Sequence, residues 1–177
     1  EKQPHIPILI IKELISKDKN NNFYLNIVGD GSLKNKLVEL AKENYLDDNV
    51  KFLGWIKERD NLFEIYKQSD IFLLTSFKGE GLGLVIFEAM SQGLPILSTK
   101  CGGPEEIIED SKNGFLIEIK DENYIINQFV EKIEYLIHNP QVYEEISKNN
   151  IEKAKEWTAE KFFAIMRQNI LELLNNE

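Results

Sequence analysis

SFKGEGLGLVIFEAMSQGLPILS, residues 76–98, decides the fold, because it joins two apolar runs through a glycine-rich turn and a helical segment. The run that leads in, IFLLTS at 71–76, has the near-continuous apolar character of a strand buried on both faces of a parallel sheet. The run that leads out, LPILS at 94–98, is a second strand. The stretch therefore predicts a strand–helix–strand unit, with two glutamates, Glu80 and Glu88, around the start of its helix.

The same alternation of short apolar runs and helical patterns extends along most of the chain. It predicts an α/β fold with a Rossmann-like, doubly wound parallel sheet. Beyond Asp121 the patterns are helical only, which predicts a C-terminal helical tail at 123–177. Ser32 and Asp60 are expected to cap the helices that they begin. The predicted strands are 24–28, 50–54, 71–76, 94–98 and 114–119, and the predicted helices begin near residues 7, 32, 60, 83, 104, 123, 140 and 159.

Composition and charge exclude several classes of function. The chain has 177 residues, of which 42% are apolar, a net charge of -9 and a pI of about 4.9. An acidic chain does not suit nucleic acid, because binding to the phosphate backbone needs Lys and Arg, but backbone amides can still hold one small anion. No apolar run reaches the roughly 18 residues of a membrane span. The single cysteine, Cys101, precludes an intramolecular disulfide, which fits a reducing, cytoplasmic setting.

Three glycine-rich stretches follow predicted strands, so they meet at the carboxyl edge of the sheet, where doubly wound folds bind their ligands. Glycine lets backbone amides approach a ligand closely, and the helix that begins near Gly83 directs its positive end to the same edge. Glu80 precedes that helix, and Glu88 lies about one and a half turns inside it, leaning back toward the edge. The three stretches are Gly29-Asp30-Gly31, Gly79 to Gly83, and Gly102-Gly103.

A nucleotide sugar needs backbone amides that bind its diphosphate and carboxylates that accept hydrogen bonds from its neighbouring hydroxyls. These stretches offer both. Simpler interpretations stay open: Glu88 as a surface glutamate, Glu80 as a solvated loop charge, and the glycines as turn residues. Cys101 is interpreted as a core or crevice-wall residue rather than a nucleophile, and the two histidines as surface or capping residues. The sequence has no Asp-x-Asp pair and no histidine cluster, so no metal site is predicted.

The sequence SFKGEGLGLVIFEAMSQGLPILSTKCGGPEEII, residues 76–108, resembles the signature of the retaining glycosyltransferases of family four. That signature has two glutamates separated by seven residues, then Ala-Met, Gly-x-Pro, a strand and Gly-Gly-x-x-Glu-Ile. Upstream, IVGDGSLKNKL, VKFLGW and SDIFLLTS match the same family. The matching residues are Glu80 and Glu88, Ala89-Met90, Gly93-Leu94-Pro95 and Gly102-Gly103-Pro104-Glu105-Glu106-Ile107.

The resemblance implies a GT-B enzyme, in which two Rossmann-like domains face each other across a cleft. Residues 1–177 would be its C-terminal, donor-binding domain. Glu80 would be the catalytic residue that contacts the transferred sugar, Glu88 would bind the ribose hydroxyls, and Lys2 would serve the diphosphate. The donor-binding set that the resemblance implies is Lys2, Gly29, Gly31, Gly81, Leu82, Gly83, Leu84 and Glu88.

The implied reaction retains the anomeric configuration, uses a UDP- or GDP-linked sugar as substrate, and needs no cofactor and no metal. The acceptor would be a saccharide or a lipid-linked molecule, bound by an N-terminal domain. That domain, the first strand of the sheet and an arginine before Lys2 are not in the sequence, and the EKQPH start also indicates a fragment, which is expected to be inactive alone. The setting would be polysaccharide or glycan synthesis in the cytoplasm or at the inner face of the cell membrane, with peripheral membrane association through the other domain.

Two alternatives to a transferase are kept. One is a noncatalytic module that binds a nucleotide or docks a partner, since half of the expected active site is absent. The other is a sugar-nucleotide epimerase of the same architecture, which would need catalytic acids and a histidine in the crevice. No histidine lies near the glycine-rich stretches, which disfavours the epimerase.

Overall fold

Helices and strands alternate along residues 1–19, 22–78 and 83–156, which are the residues that the computed structural model describes. The five strands are β1 (Leu25–Val28), β2 (Val50–Gly54), β3 (Phe72–Leu74), β4 (Ile96–Thr99) and β5 (Gly114–Ile117). The helices are α1 (Ile6–Lys17), α2 (Lys34–Glu43), α3 (Arg59–Lys67), α4 (Leu84–Ser91), α5 (Gly103–Ile107), α6 (Glu122–His138) and α7 (Pro140–Glu156).

The predicted α/β class and the order of its elements are confirmed. The last predicted helix, which was expected near residue 159, lies outside the described residues. Both predicted caps are wrong. A turn in which the Lys34 N–H donates to the Gly31 carbonyl makes Leu33, not Ser32, the residue before α2. Helix α3 begins at Arg59, and Glu58 is the residue before it, so Asp60 lies in the first turn, where a carboxylate still interacts favourably with the helix dipole.

Every hydrogen-bonded pair of strands is parallel, as predicted, and the pairs form two groups. β1 pairs with β2, while β3 pairs with β4 and β4 with β5. Among the described residues no ladder joins β1 to β3, so the sheet is divided at this point. β4 and β5 lie so close that a Cβ on Gly114 would be 2.2 Å from the Ile96 carbonyl oxygen, which explains a glycine at the start of β5.

Two apolar clusters hold the helices against the strands. The larger one joins α1, α6 and the sheet, with Ile8 and Phe129 fully buried. The smaller one lies under α4 and includes Met90. Each such side chain contributes about 1.5–3 kcal/mol to folding. Helix α7 packs on α4, where the buried Asn150 amide donates to the Leu94 carbonyl at 2.7 Å. None of the described helices is long and apolar enough to cross a membrane.

Candidate functional site

A cavity of about 1590 Å³ lies along β1 and β3, and residues that directly follow β1, β2 and β3 line part of it. Four of the predicted donor-binding residues line it, although they lie far apart in the sequence: Lys2, Gly29, Gly31 and Glu88. Gly83 and Leu84 are at the N-terminus of α4 and are not among the described residues that line the cavity. Glu80, Gly81 and Leu82 lie outside the described residues.

Glu88 presents its carboxylate to the cavity from α4, and each of its oxygens has a partner on α3. The Arg59 guanidinium donates to Oε1 at 3.1 Å, and the Tyr66 hydroxyl donates to Oε2 at 3.4 Å. The two partners differ in exposure: the Arg59 side chain is 74% exposed, whereas Tyr66 is buried. The Glu88 side chain, at 18% exposed, is therefore held from a buried side and from a solvent side.

Helix α3 places both partners on one face, because Arg59, Phe63 and Tyr66 are spaced by four and three residues. The Arg59 guanidinium lies 5.7 Å from the centre of the Phe63 ring, which packs edge-on against Tyr66. Burial, and then the neighbouring Glu88 charge, raise the pKa of the Tyr66 hydroxyl. Tyr66 therefore stays protonated at neutral pH and donates to the carboxylate.

The turn after β1 is built by glycines that have different roles. Gly29 has a φ of +118°, which favours glycine, and its N–H donates to the Gly54 carbonyl at 2.8 Å. Gly31 has no positive φ, and a Cβ there would meet nothing within 4 Å. Turn geometry therefore explains Gly29, whereas Gly31 leaves open space beside the cavity.

Asp30, between these glycines, is engaged within the turn. Its Oδ1 accepts from the Gly31 N–H at 2.8 Å, and its other oxygen lies 3.5 Å from the Lys34 ammonium. The Gly31 hydrogen bond, followed by the Lys34 charge, lowers the pKa of the Asp30 carboxyl. The Gly31 amide, which was predicted to face a ligand, thus donates to the Asp30 side chain.

Residues 1–3 are fixed against the end of β3, which places Lys2 at the cavity. The Thr75 hydroxyl lies 3.2 Å from the carbonyl oxygens of Lys2 and Gln3. The Phe77 N–H donates to the Glu1 carbonyl at 2.8 Å. Backbone contacts thus bring the Lys2 ammonium to the same cavity as Glu88.

Sequence reasoning missed both Arg59 and Tyr66 as partners of Glu88. Both are more than twenty residues from Glu88, and nothing local in the sequence indicates that contact. Trp55 was missed as well: it follows β2, lines the cavity and is 78% exposed. The predicted minor roles agree with the structure, since Cys101 is buried, His5 binds Glu122 at the surface and His138 contacts a helix carbonyl.

The described residues contain no group of three or more His, Cys, Asp and Glu side chains that could hold a metal ion. The charged side chains around the cavity are of both signs. Lys2, Lys34, Lys57 and Arg59 supply positive charge, and Asp30, Asp70, Glu88 and Glu144 supply negative charge. The site thus offers cations for an anionic group and carboxylates for hydroxyls.

Comparison with known proteins agrees with this chemistry. The family model described as "Glycosyl transferases group 1" matches residues 1–156. The N-acetyl-alpha-D-glucosaminyl L-malate synthase of Bacillus anthracis is 35% identical over 138 residues, which are 78% of this chain and 33% of that protein. The chain therefore spans about a third of the length of this relative.

Two solved structures share the fold. Anabaena Alr3699/HepE in complex with UDP-glucose has a TM-score of 0.77 at 26% identity, covering 99% of this chain and 46% of the other. The C-terminal domain of the glycosyl transferase group 1 family protein LpcC from Francisella tularensis has a TM-score of 0.74 at 27% identity. That match covers 88% of this chain and 78% of the domain.

Proposed function

The chain belongs to the family of glycosyl transferases group 1, and from this membership we propose that it is the donor-binding domain of a retaining GT-B enzyme. The donor is a nucleotide-diphosphate sugar, linked to UDP or GDP. The acceptor is a saccharide or a lipid-linked molecule bound by a facing domain, and the reaction contributes to polysaccharide or glycan synthesis. The complex of the Anabaena neighbour with UDP-glucose supports a donor of this class.

The observation that carries the proposal is that Glu88 lines the cavity and that both oxygens of its carboxylate are held by side chains of α3. An ionised carboxylate only accepts hydrogen bonds, and its two oxygens match the two neighbouring hydroxyls of a ribose. Tyr66 is buried and keeps its hydrogen bond when a ligand enters. Arg59 is exposed, and an exposed ion pair is worth only about 0–1 kcal/mol, so the ribose can replace it on Oε1.

The diphosphate end of the donor requires positive partners. Lys2 lines the same cavity, and the N-terminus of α4 offers backbone amides and the positive end of its dipole. Charge grows on the leaving diphosphate in the transition state, so contacts there affect the rate of transfer. Ribose contacts at Glu88 are equal in both states and affect donor binding instead. We assign the transferred sugar to Glu80 on the family resemblance.

The test is titration of the protein with UDP and with GDP before and after Glu88→Gln. The variant keeps the shape of the side chain but loses its charge. Hydrogen bonds to a charged group are worth about 1.5–3 kcal/mol, so we expect binding to weaken roughly ten- to hundredfold. Glu64→Gln is the matched control, because Glu64 lies on neighbouring α3 but pairs with Lys67 at the surface.

A nucleotide without the 2′ and 3′ hydroxyls distinguishes a diol contact from a general effect. Glu88→Gln should leave the affinity for this analogue unchanged. Equal weakening for the analogue and the parent nucleotide, or unchanged affinity for UDP and GDP, would contradict the ribose assignment. Thermal melting of each variant checks that the fold is intact.

A further inference from the structure

Glu88 is hydrogen-bonded through both of its carboxylate oxygens by side chains of α3. The Tyr66 hydroxyl donates to Oε2 from the buried side, and the Arg59 guanidinium donates to Oε1 from the solvent side at 3.1 Å. The Glu88 side chain itself is mostly buried, with 18% of its surface exposed. Both oxygens of this cavity-lining carboxylate are therefore satisfied by the protein.

A carboxylate that recognises a hydroxyl usually rejects an analogue that lacks this hydroxyl. The analogue covers the carboxylate and leaves one of its oxygens without a donor, which weakens binding about ten- to hundredfold for a charged group. This discrimination requires that no donor of the protein satisfies the same oxygen. Glu88 does not meet that requirement, because Arg59 is such a donor.

Arg59 is held beside Glu88 by more than the ion pair. Its guanidinium lies 5.7 Å from the centre of the Phe63 ring, and the two residues are four positions apart on one face of α3. Phe63 in turn packs edge-on against the buried ring of Tyr66. Arg59 can thus release Oε1 to an incoming hydroxyl and still stay within reach of this oxygen.

The exchange between Arg59 and a hydroxyl has a small cost in either direction. Arg59 is largely exposed, and an exposed ion pair shifts an equilibrium by no more than about fivefold. A ribose hydroxyl that displaces Arg59 therefore gives up little of its hydrogen bond. A sugar ring that lacks the hydroxyl leaves Arg59 in place, and Oε1 keeps its donor.

A sugar ring with a single hydroxyl is accommodated at either oxygen of Glu88. Each carboxylate oxygen accepts about two hydrogen bonds, so Oε2 has room for a ligand hydroxyl beside Tyr66 while Arg59 stays on Oε1. When the hydroxyl occupies Oε1 instead, Tyr66 still satisfies Oε2. Both oxygens keep a donor in each arrangement.

We propose that Arg59 is a specificity-determining residue, which lets this site accept donors with a deoxyribose as well as donors with a ribose. Arg59 does so by taking the place of the missing hydroxyl at Oε1 of Glu88. Sugars linked to 2′-deoxynucleoside diphosphates, such as thymidine diphosphate, are then a further class of donor for the same cavity. The inference rests on the proposed function, because it takes Glu88 as the contact of the nucleotide's sugar ring.

The test compares UDP with 2′-deoxy-UDP in NMR titrations of the natural chain and of Arg59→Met. In the natural chain the affinities for the two nucleotides should differ by less than about tenfold. In Arg59→Met this ratio should rise at least about threefold, because UDP no longer displaces a cation and the analogue leaves Oε1 without a donor. Lys67→Met is the matched control, since it removes a cation of α3 that pairs with Glu64 at the surface, and it should leave the ratio unchanged.

A ratio above about tenfold in the natural chain, or an equal ratio in Arg59→Met, would overturn the inference. Weaker binding of both nucleotides by Arg59→Met would also overturn it, since Arg59 would then contact the ligand itself. Failure of the proposed function has a different signature, which is a UDP affinity that Glu88→Gln leaves unchanged. Strong rejection of 2′-deoxy-UDP together with a weakened Glu88→Gln variant would remove the role of Arg59 and leave the ribose contact standing.

Discussion

Arg59 and Tyr66 hold the same carboxylate from two sides, and their exposure gives them different roles at the scale of single residues. Tyr66 is buried with a raised pKa, so it orients Glu88 whether or not a ligand is present. Arg59 is largely exposed and occupies Oε1. The diol of the proposed ligand would therefore have to replace Arg59 at this oxygen.

Arg59→Met tests this competition. Methionine retains the packing against Phe63 but has no charge, so Glu88 becomes free on its solvent side. We expect UDP to bind tighter by no more than about fivefold, because an exposed ion pair is worth at most roughly 1 kcal/mol. Calorimetric titration measures the change, and the same substitution in a Glu88→Gln protein should bring no gain. Weaker binding by Arg59→Met alone would show that Arg59 contacts the ligand instead.

Gly31→Ala separates the two interpretations of the glycine turn. The added methyl group meets no protein atom within 4 Å, and Gly31 has no positive φ, so the melting temperature should not change. Nucleotide affinity should fall severalfold if a phosphate or ribose approaches this backbone closely. Gly29→Ala is the contrasting variant, since its positive φ makes it destabilising without any ligand. Unchanged affinity in Gly31→Ala would favour a turn residue only.

Sequence spacing was enough to predict that Glu88 faces a crevice, because a helix that follows a buried strand starts at the carboxyl edge of the sheet, and Glu88 lines the cavity. It was not enough for the Arg59 contact, which depends on how α3 and α4 pack. It also gave no sign that the Asp30 side chain accepts a hydrogen bond from the Gly31 amide. A ligand contact at Gly31 stays a prediction. The periodicity of a helix predicts toward which side a residue points. Which side chains from other elements it contacts depends on how the helices pack.

At the scale of elements, Glu109 ties the loop before β5 to α7. Its carboxylate accepts from Lys112 at 2.7 Å and from Lys153 at 2.8 Å. The hydrogen bond from Lys112, followed by that from Lys153, lowers the pKa of Glu109 to about 2. The stabilisation from these contacts is therefore fully present above the ordinary pKa of 4.5, and is lost as the pH falls toward 2.

The corresponding prediction compares melting temperatures of the natural chain and Glu109→Gln from pH 7 to pH 2. The variant should melt slightly lower at pH 7, and the difference should shrink below pH 4.5 and vanish near pH 2. Glu152→Gln is a matched control, because among the described residues the ion-pair partner of Glu152 is Lys155 of the same helix. A difference that stays constant over the whole range would mean that the Glu109 charge does not stabilise this junction.

Helices and strands were the most predictable part of the structure. All five strands and the described helices were recognised from the spacing of apolar residues and from the glycines, prolines and polar residues between them. The division of the sheet was not, because strand order depends on which edges pair. IFLLTS was interpreted as a strand buried on both faces, whereas all three residues of β3 are only partly buried. The apolar pattern predicted the strand but not the division of the sheet beside it.

At the scale of the whole molecule, donor binding and sugar transfer should be separable. The chain spans about a third of its Bacillus anthracis relative, and the proposed acceptor lies on a facing domain. We expect the 177-residue chain to bind UDP or GDP no better than at roughly high micromolar to millimolar concentration, because the proposed facing domain would add further contacts to the donor. It should transfer no sugar. Ligand-observed NMR measures nucleotide binding, and a product assay with UDP-glucose measures sugar transfer. Turnover by this chain alone would contradict the prediction that binding and transfer are separable.

The fluorescence of Trp55 can report ligand binding in the cavity. Its indole is mostly exposed and lies among the residues that line the site, so a bound nucleobase or phosphate changes its surroundings. The only other tryptophan is Trp157, and a Trp157→Phe protein would assign the emission to one fluorophore. Quenching or a blue shift of that emission would then follow ligand occupancy in real time, without a label.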